Sequence, residues 1–103
     1  MNETTFVGVA RLELHVPEAR SLKAKRSPVR SLMEKIRSRH QVLVIEADHQ
    51  ELYQRTRLDI CALSTSSADV ETRLQRVEDT VDRNWSGNVL SWTVEIIEVE
   101  NRE

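Results

Sequence analysis

LDICALSTSSADVETRLQRVEDTV, residues 58–81, changes its hydrophobic period midway, and that change decides the fold. Leu58, Ile60 and Ala62 alternate with Asp59, Cys61 and Leu63, the two-residue repeat of a strand. Ser64-Thr65-Ser66-Ser67 punctuates the chain. Val70, Leu74, Val77 and Val81 then recur at helical spacing, leaving one apolar stripe. Asp69 stands three residues after Ser66 and completes a cap on it. The helix is expected to end near Trp85-Ser86-Gly87-Asn88, where Gly87 suits a left-handed C-terminal turn.

Working outward, Leu90, Trp92, Val94 and Ile96 alternate as a last strand. On the other side lies a polar connection, Asp48-His49-Gln50-Glu51-Leu52-Tyr53-Gln54-Arg55, in which Leu52 and Tyr53 are expected to anchor the loop by burial. Before it, the β-branched run Val42 to Ala47 reads as a buried strand. Phe6 to Val16 alternates as well, and Pro17, which cannot donate to a ladder, ends it. Phe6, Gly8, Ala10, Leu12, Leu14 and Val16 take one face; Val7, Val9, Arg11, Glu13 and His15 take the other. Between these two strands Val29, Leu32, Met33 and Ile36 mark a helix. Pro28 interrupts it at a cost of ~3 kcal/mol if it sits inside. Either the helix starts at a Ser21 cap and kinks at Pro28, the reading preferred here, or Ser27 caps a helix that starts at Pro28.

The order is β-α-β-β-α-β. It predicts a ferredoxin-like α+β fold, a four-stranded antiparallel sheet with two helices on one face. Residues 1–103 make a single domain of ordinary size. The half-apolar open face suggests an interface built from Val7, Val9 and Trp92 or its strand neighbours, for example in a homodimer.

Charge is gathered in one place. RSLKAKRSPVRSLMEKIRSRH, residues 20–40, holds eight of the fifteen Lys and Arg and a single acid, Glu34, in a chain of net charge -2. On a helical wheel Lys23, Arg26, Arg30 and Arg37 fall within roughly 60° of one another, off the apolar stripe. Such a run is either a solvated helix face or a grip on an anionic polymer. The candidate anion-binding set is Lys23, Lys25, Arg26, Arg30, Lys35, Arg37 and Arg39.

Other chemistries find little support. One Cys excludes an internal disulfide and a Cys-based zinc site, and Cys61 within its apolar strand reads as a small core residue. Asp48, His49 and Glu51 invite a metal or proton-transfer reading, yet neighbours on an extended segment point opposite ways and no partner converges on them. No catalytic constellation, cofactor or metal site is therefore assigned. The third strand lacks the aromatic platform of an RNA-recognition module, and no Gly-rich phosphate loop exists. The N-terminal stretch lacks a basic signal-peptide region and no run approaches a membrane span, so the expected compartment is the cytoplasm.

ELHVPEARSLKAKRSPVRSLMEKIRSRHQVLVIEADHQELYQRTRLDICALS resembles the YlxP-like family, also called domain of unknown function 503. The shared pattern takes in His15 and Pro17, Arg20 to Arg26, then Asp48, Gln50, Leu52, Gln54 and Arg55, and the likeness covers about residues 6–99. Pro28, Asp59 and Tyr53 depart from it, standing where that family more usually has an ordinary helix residue, a Gly and a Trp. The resemblance implies a small bacterial ferredoxin-like protein and no established activity. Genes of that family often lie near translation-initiation and ribosome-maturation genes, an association rather than a mechanism. The sequence thus reads as a cytoplasmic binding protein, not an enzyme, contacting structured RNA or the ribosome through its basic helix. The alternative is a homo-oligomeric interaction module working through the open sheet face.

Overall fold

Strand β1 (Thr5–His15) buries Gly8, Ala10, Leu12 and Leu14 and turns the alternate residues away, as its period of two requires. In this computed structural model, which describes residues 4–17, 19–48 and 52–100 (of Asp48 only the backbone), β1 lies at the centre. It is flanked by two antiparallel neighbours, β3 (Arg55–Ser64) and β4 (Val89–Val99). Strand β2 (Leu43–Asp48) pairs with the outer side of β3, giving the order β2-β3-β1-β4. The expected βαββαβ ferredoxin-like layout is therefore the one observed, with element ends displaced by a residue or a few.

Both helices cover the face that carries Ala10, Leu12, Leu58 and Ile60. From α1 (Leu22–Arg39) come Val29, Leu32 and Ile36, and from α2 (Ser67–Asn84) come Val70, Leu74, Val77 and Val81, all buried in one core. Burying side chains of this size stabilises by roughly 1.5–3 kcal/mol each, which is what holds helices of modest intrinsic propensity on the sheet.

Helix α1 starts at the Ser21 cap, whose hydroxyl accepts from the Ala24 N–H at 3.0 Å, and Pro28 lies inside it. Pro28 has no N–H, so the Ala24 carbonyl loses its usual donor one turn on. The stripe continues on both sides of it, and burial of Val29 immediately after offsets that loss. Helix α2 carries the expected cap: the Asp69 N–H donates to Ser66 Oγ at 3.2 Å.

The left-handed turn expected at Gly87 does not form. Helix α2 ends in an extended Trp85, φ −91° and ψ 127°, whose indole Nε1 donates to the His15 carbonyl at 2.9 Å. Gly87 serves close approach instead, since a Cβ there would lie 2.1 Å from that same carbonyl oxygen. The helix end is thus tied to the end of β1, where the His15 N–H donates to the Asn88 carbonyl at 2.9 Å.

Candidate nucleic-acid interface

Helix α1 lies over β2 with its apolar stripe inward, so the opposite side of the helix faces out. Lys23, Arg26, Arg30, Arg37 and Arg39 are exposed and Lys35 is half-buried. Among the described residues no carboxylate pairs with Lys23, Arg26 or Arg30. Arg11, Arg55, Arg57 and Arg73 each meet an Asp or Glu, whereas Arg20, Arg76 and Arg83, like these α1 cations, pair with no carboxylate among the described residues. Arg37 is committed in part, its Nη2 donating to the Val44 carbonyl of β2 at 2.8 Å. A groove of about 630 Å³ runs beside the helix, with Arg26, Arg30 and Arg37 along it and Val29 and Met33 in its lining. Glu34 and Glu46 also line it.

Lys25 also lines the groove but does not belong to the exposed row of cations. It is 4% exposed, its Nζ donates to the Leu52 carbonyl at 2.9 Å, and it lies 3.4 Å from Glu46 Oε2. Glu46 also accepts from the Thr56 hydroxyl at 2.6 Å. A buried ammonium costs several kcal/mol unless it is paired and hydrogen-bonded. Here the pairing joins α1, β2, β3 and the segment before β3 into one polar network, so Lys25 is a structural cation.

The segment around Leu52 behaves otherwise than expected. Leu52 and Tyr53 are exposed, and the chain is held there through its backbone: Leu52 gives its carbonyl to Lys25, and the Gln54 carbonyl accepts from the Val16 N–H at 2.9 Å. His49 and Glu51 of the candidate metal or proton-transfer cluster, and the Asp48 side chain, lie outside the described residues. Among the described residues no His, Cys, Asp and Glu side chains gather as a metal site.

His40, at the end of α1, reaches α2 through a 2.8 Å contact between its Nε2 and Thr80 Oγ1. Burial, reinforced by the charges of Arg39 and Arg76, holds its pKa below the ordinary value.

On the other face of the sheet Val7 and Val9 are partly exposed, as expected. Trp92 is not beside them. It stands opposite Leu12, on the helix side of β4, while its neighbours Thr93 and Glu95 share the open face with Arg11 and Val9. Cys61 is also on the open face, opposite Val9 and Leu43, and is only partly buried, so it is not a core residue.

Fold and site together define a ferredoxin-like α+β domain with a basic helix outside its core. The chain belongs to the family described as "Protein of unknown function (DUF503)", which matches residues 7–94. It is similar to the "Uncharacterized protein YlxP" of Bacillus subtilis (strain 168), 33% identical over 77 residues that cover 75% of this chain and 84% of that one. Among solved structures it is similar to "De novo designed protein Foldit4", with a TM-score of 0.51 at 12% identity, covering 95% of this chain and 99% of that one. That last likeness concerns the fold alone.

The stretches that carry the family resemblance meet in space. Lys25 reaches Leu52, Gln54 Nε2 lies 3.5 Å from the Ala19 carbonyl, and Arg55 Nη2 donates to Glu13 Oε2 at 2.6 Å. Much of the motif therefore holds the loop before α1 against the loop before β3. Lys23 and Arg26 are the basic residues of its first half that remain exposed within the helix.

Within the described residues no helix is long and apolar enough to cross a membrane.

Proposed function

We propose that this protein is a non-enzymatic cytoplasmic binding protein that contacts structured RNA, ribosomal RNA in particular, through Lys23, Arg26 and Arg30, with Arg37 and Arg39 extending the surface. The observation that carries the reading is the exposed row of α1 cations that no carboxylate of the described residues neutralises. Cations left for an outside partner, spaced along a rigid helix, suit phosphate oxygens, for which Arg is a fork and Lys a point charge. The strand order adds direction: exposed Glu95, Glu98 and Glu100 lie on or just beyond β4, at the sheet edge opposite β2 and α1. A polyanion approaching from the α1 side avoids that acidic edge.

No aromatic residue lies on the ridge, so contact is with backbone phosphates, and selectivity must come from RNA shape rather than base edges. The test is a filter-binding titration of ribosomal RNA with wild type and K23Q/R26Q/R30Q at one low salt concentration. The variant should bind about tenfold more weakly or worse while melting like wild type. Equal affinity would reduce the ridge to a solvated helix face.

A further inference from the structure

Of the eight large apolar strand side chains that are exposed among the described residues, five lie on the open face of the sheet, away from both helices. Leu43 and Ile45 of β2, Leu63 of β3, and Ile97 and Val99 of β4 are between 46% and 72% exposed. The pairing registers put them in adjoining rows with Cys61, Val7 and Val9: Leu43 beside Cys61 and Val9, Leu63 beside Val7 and Ile97. Five such side chains leave on the order of 500 Å² of contiguous apolar surface, at the upper end for the largest patch on a typical monomer. We propose that this face is the interface of a two-fold homodimer, the occupant being the open sheet face of a second copy of this chain.

Charge and shape favour a second copy over another partner. Around the apolar band lie Arg11, Arg55 and Arg57 with Glu13, Asp59 and Glu95, three charges of each sign, Glu95 standing exposed opposite Val9 on the edge strand β4. Arg11 Nε is 3.6 Å and Arg57 Nε 3.3 Å from Asp59 Oδ1, and Arg55 pairs with Glu13. The face therefore asks for no strongly charged partner and does not suit a nucleic acid. Four strands about 4.8 Å apart and some nine residues long span roughly 19 by 30 Å. With side-chain relief, that approaches the ~800 Å² per partner of a standard interface. Two sheets stack about 10 Å apart with their inner faces in contact, and a two-fold axis through the patch lays apolar band on apolar band. The helices remain on the outer sides, so dimerisation leaves both basic ridges free and does not depend on the RNA reading.

The lone cysteine reports on the contact, because Cys61 sits inside the band. Sedimentation of wild type from low to high micromolar concentration should show a species of twice the 11.9 kDa chain mass. Maleimide labelling of Cys61 should slow about tenfold or more as that species forms. In L43E/L63E, which places two carboxylates in the contact, the dimer dissociation constant should rise more than about a hundredfold, with Cys61 labelled at the monomer rate at every concentration. K23Q/R26Q/R30Q should dimerise like wild type. Wild type that stays monomeric at high micromolar concentration overturns the proposal. So does a dimer in which Cys61 labels at the monomer rate, or one that survives in folded L43E/L63E. If L43E/L63E does not fold, the wild-type labelling decides alone.

Discussion

Lys25→Met separates the cation that builds the fold from those that lie outside it. Met keeps most of the length and apolar stem while deleting the ammonium. Among the described residues the loss includes a charge-assisted hydrogen bond, Nζ to the Leu52 carbonyl at 2.9 Å, and the 3.4 Å pairing with Glu46. Hydrogen bonds to charged groups contribute about 1.5–3 kcal/mol. The Glu46 side chain is 28% exposed and keeps the Thr56 hydroxyl, so water and that hydroxyl relieve part of its stranded charge. The Lys25 ammonium also no longer has to be desolvated. The balance is a destabilisation of about 2 kcal/mol, or a fall of about 10 °C in Tm for a domain of this size. Urea unfolding followed by circular dichroism gives the free energy, and K25M/E46Q closes the cycle. Gln retains the acceptor for Thr56 but no charge, so the double variant should be less destabilised than the two singles combined, by about 1 kcal/mol. RNA affinity of K25M, measured where the protein is folded, should equal that of wild type. A stability change below about 0.5 kcal/mol, or an RNA defect as large as that of K23Q/R26Q/R30Q, would refute the assignment of Lys25 as structural.

Two further substitutions probe how the helices are seated. Gly8→Ala would put a Cβ 2.3 Å from Val70 Cγ1 and 2.8 Å from Leu74 Cδ1, both in the core, so α2 must shift; urea unfolding should show a loss of about 1–3 kcal/mol, and an unchanged midpoint would mean that α2 is not seated on β1 as described. His40 has a folded-state pKa below its ordinary 6.5, so the unfolded chain takes up the proton first as pH falls. Its contribution is therefore complete above about pH 6.5 and declines as pH drops from there toward the folded-state pKa. Melting between about pH 7.5 and 5.5 should show a steeper fall for wild type than for H40Q, and identical slopes would contradict the assignment.

What the sequence disclosed and what it concealed follow from how local each feature is. The period change at residues 64–70, the Ser66 cap and the apolar stripes are local, and they gave element order and helix face directly. Pro28 was ambiguous because a local rule disfavours it inside a helix while burial of Leu22-side and Val29-side turns settles the matter in three dimensions. Lys25 did carry a signal: it is four residues before Val29 and seven before Leu32, in line with the buried stripe. Its charge suggested solvent, and the Leu52 carbonyl and Glu46 that stabilise it come from distant segments. Cys61 was legible too, since it alternates out of phase with Leu58, Ile60 and Ala62. Trp92 was not, because alternation groups Leu90, Trp92, Val94 and Ile96 without saying which face they take; the pairing of Trp92 with Leu12 decides that. Gly87 is a similar case: its lack of a side chain answers to the His15 carbonyl from the far end of the chain.

The salt dependence of RNA binding tests the functional reading most directly, because it counts phosphates contacted and is blind to small changes in folding. Three to five contacts, from Lys23, Arg26 and Arg30 alone up to the same three with Arg37 and Arg39, give a log–log slope of about −2.7 to −4.5 on duplex RNA, taking the duplex-DNA coefficient. The measurement is the ribosomal RNA affinity of wild type and K23Q/R26Q/R30Q across a salt series at constant pH. Wild type should show a slope in that range, flattened by about 2.7 in the variant, whose affinity converges on wild type as salt rises. Equal slopes for the two proteins, or no binding by wild type at the lowest salt, would contradict it.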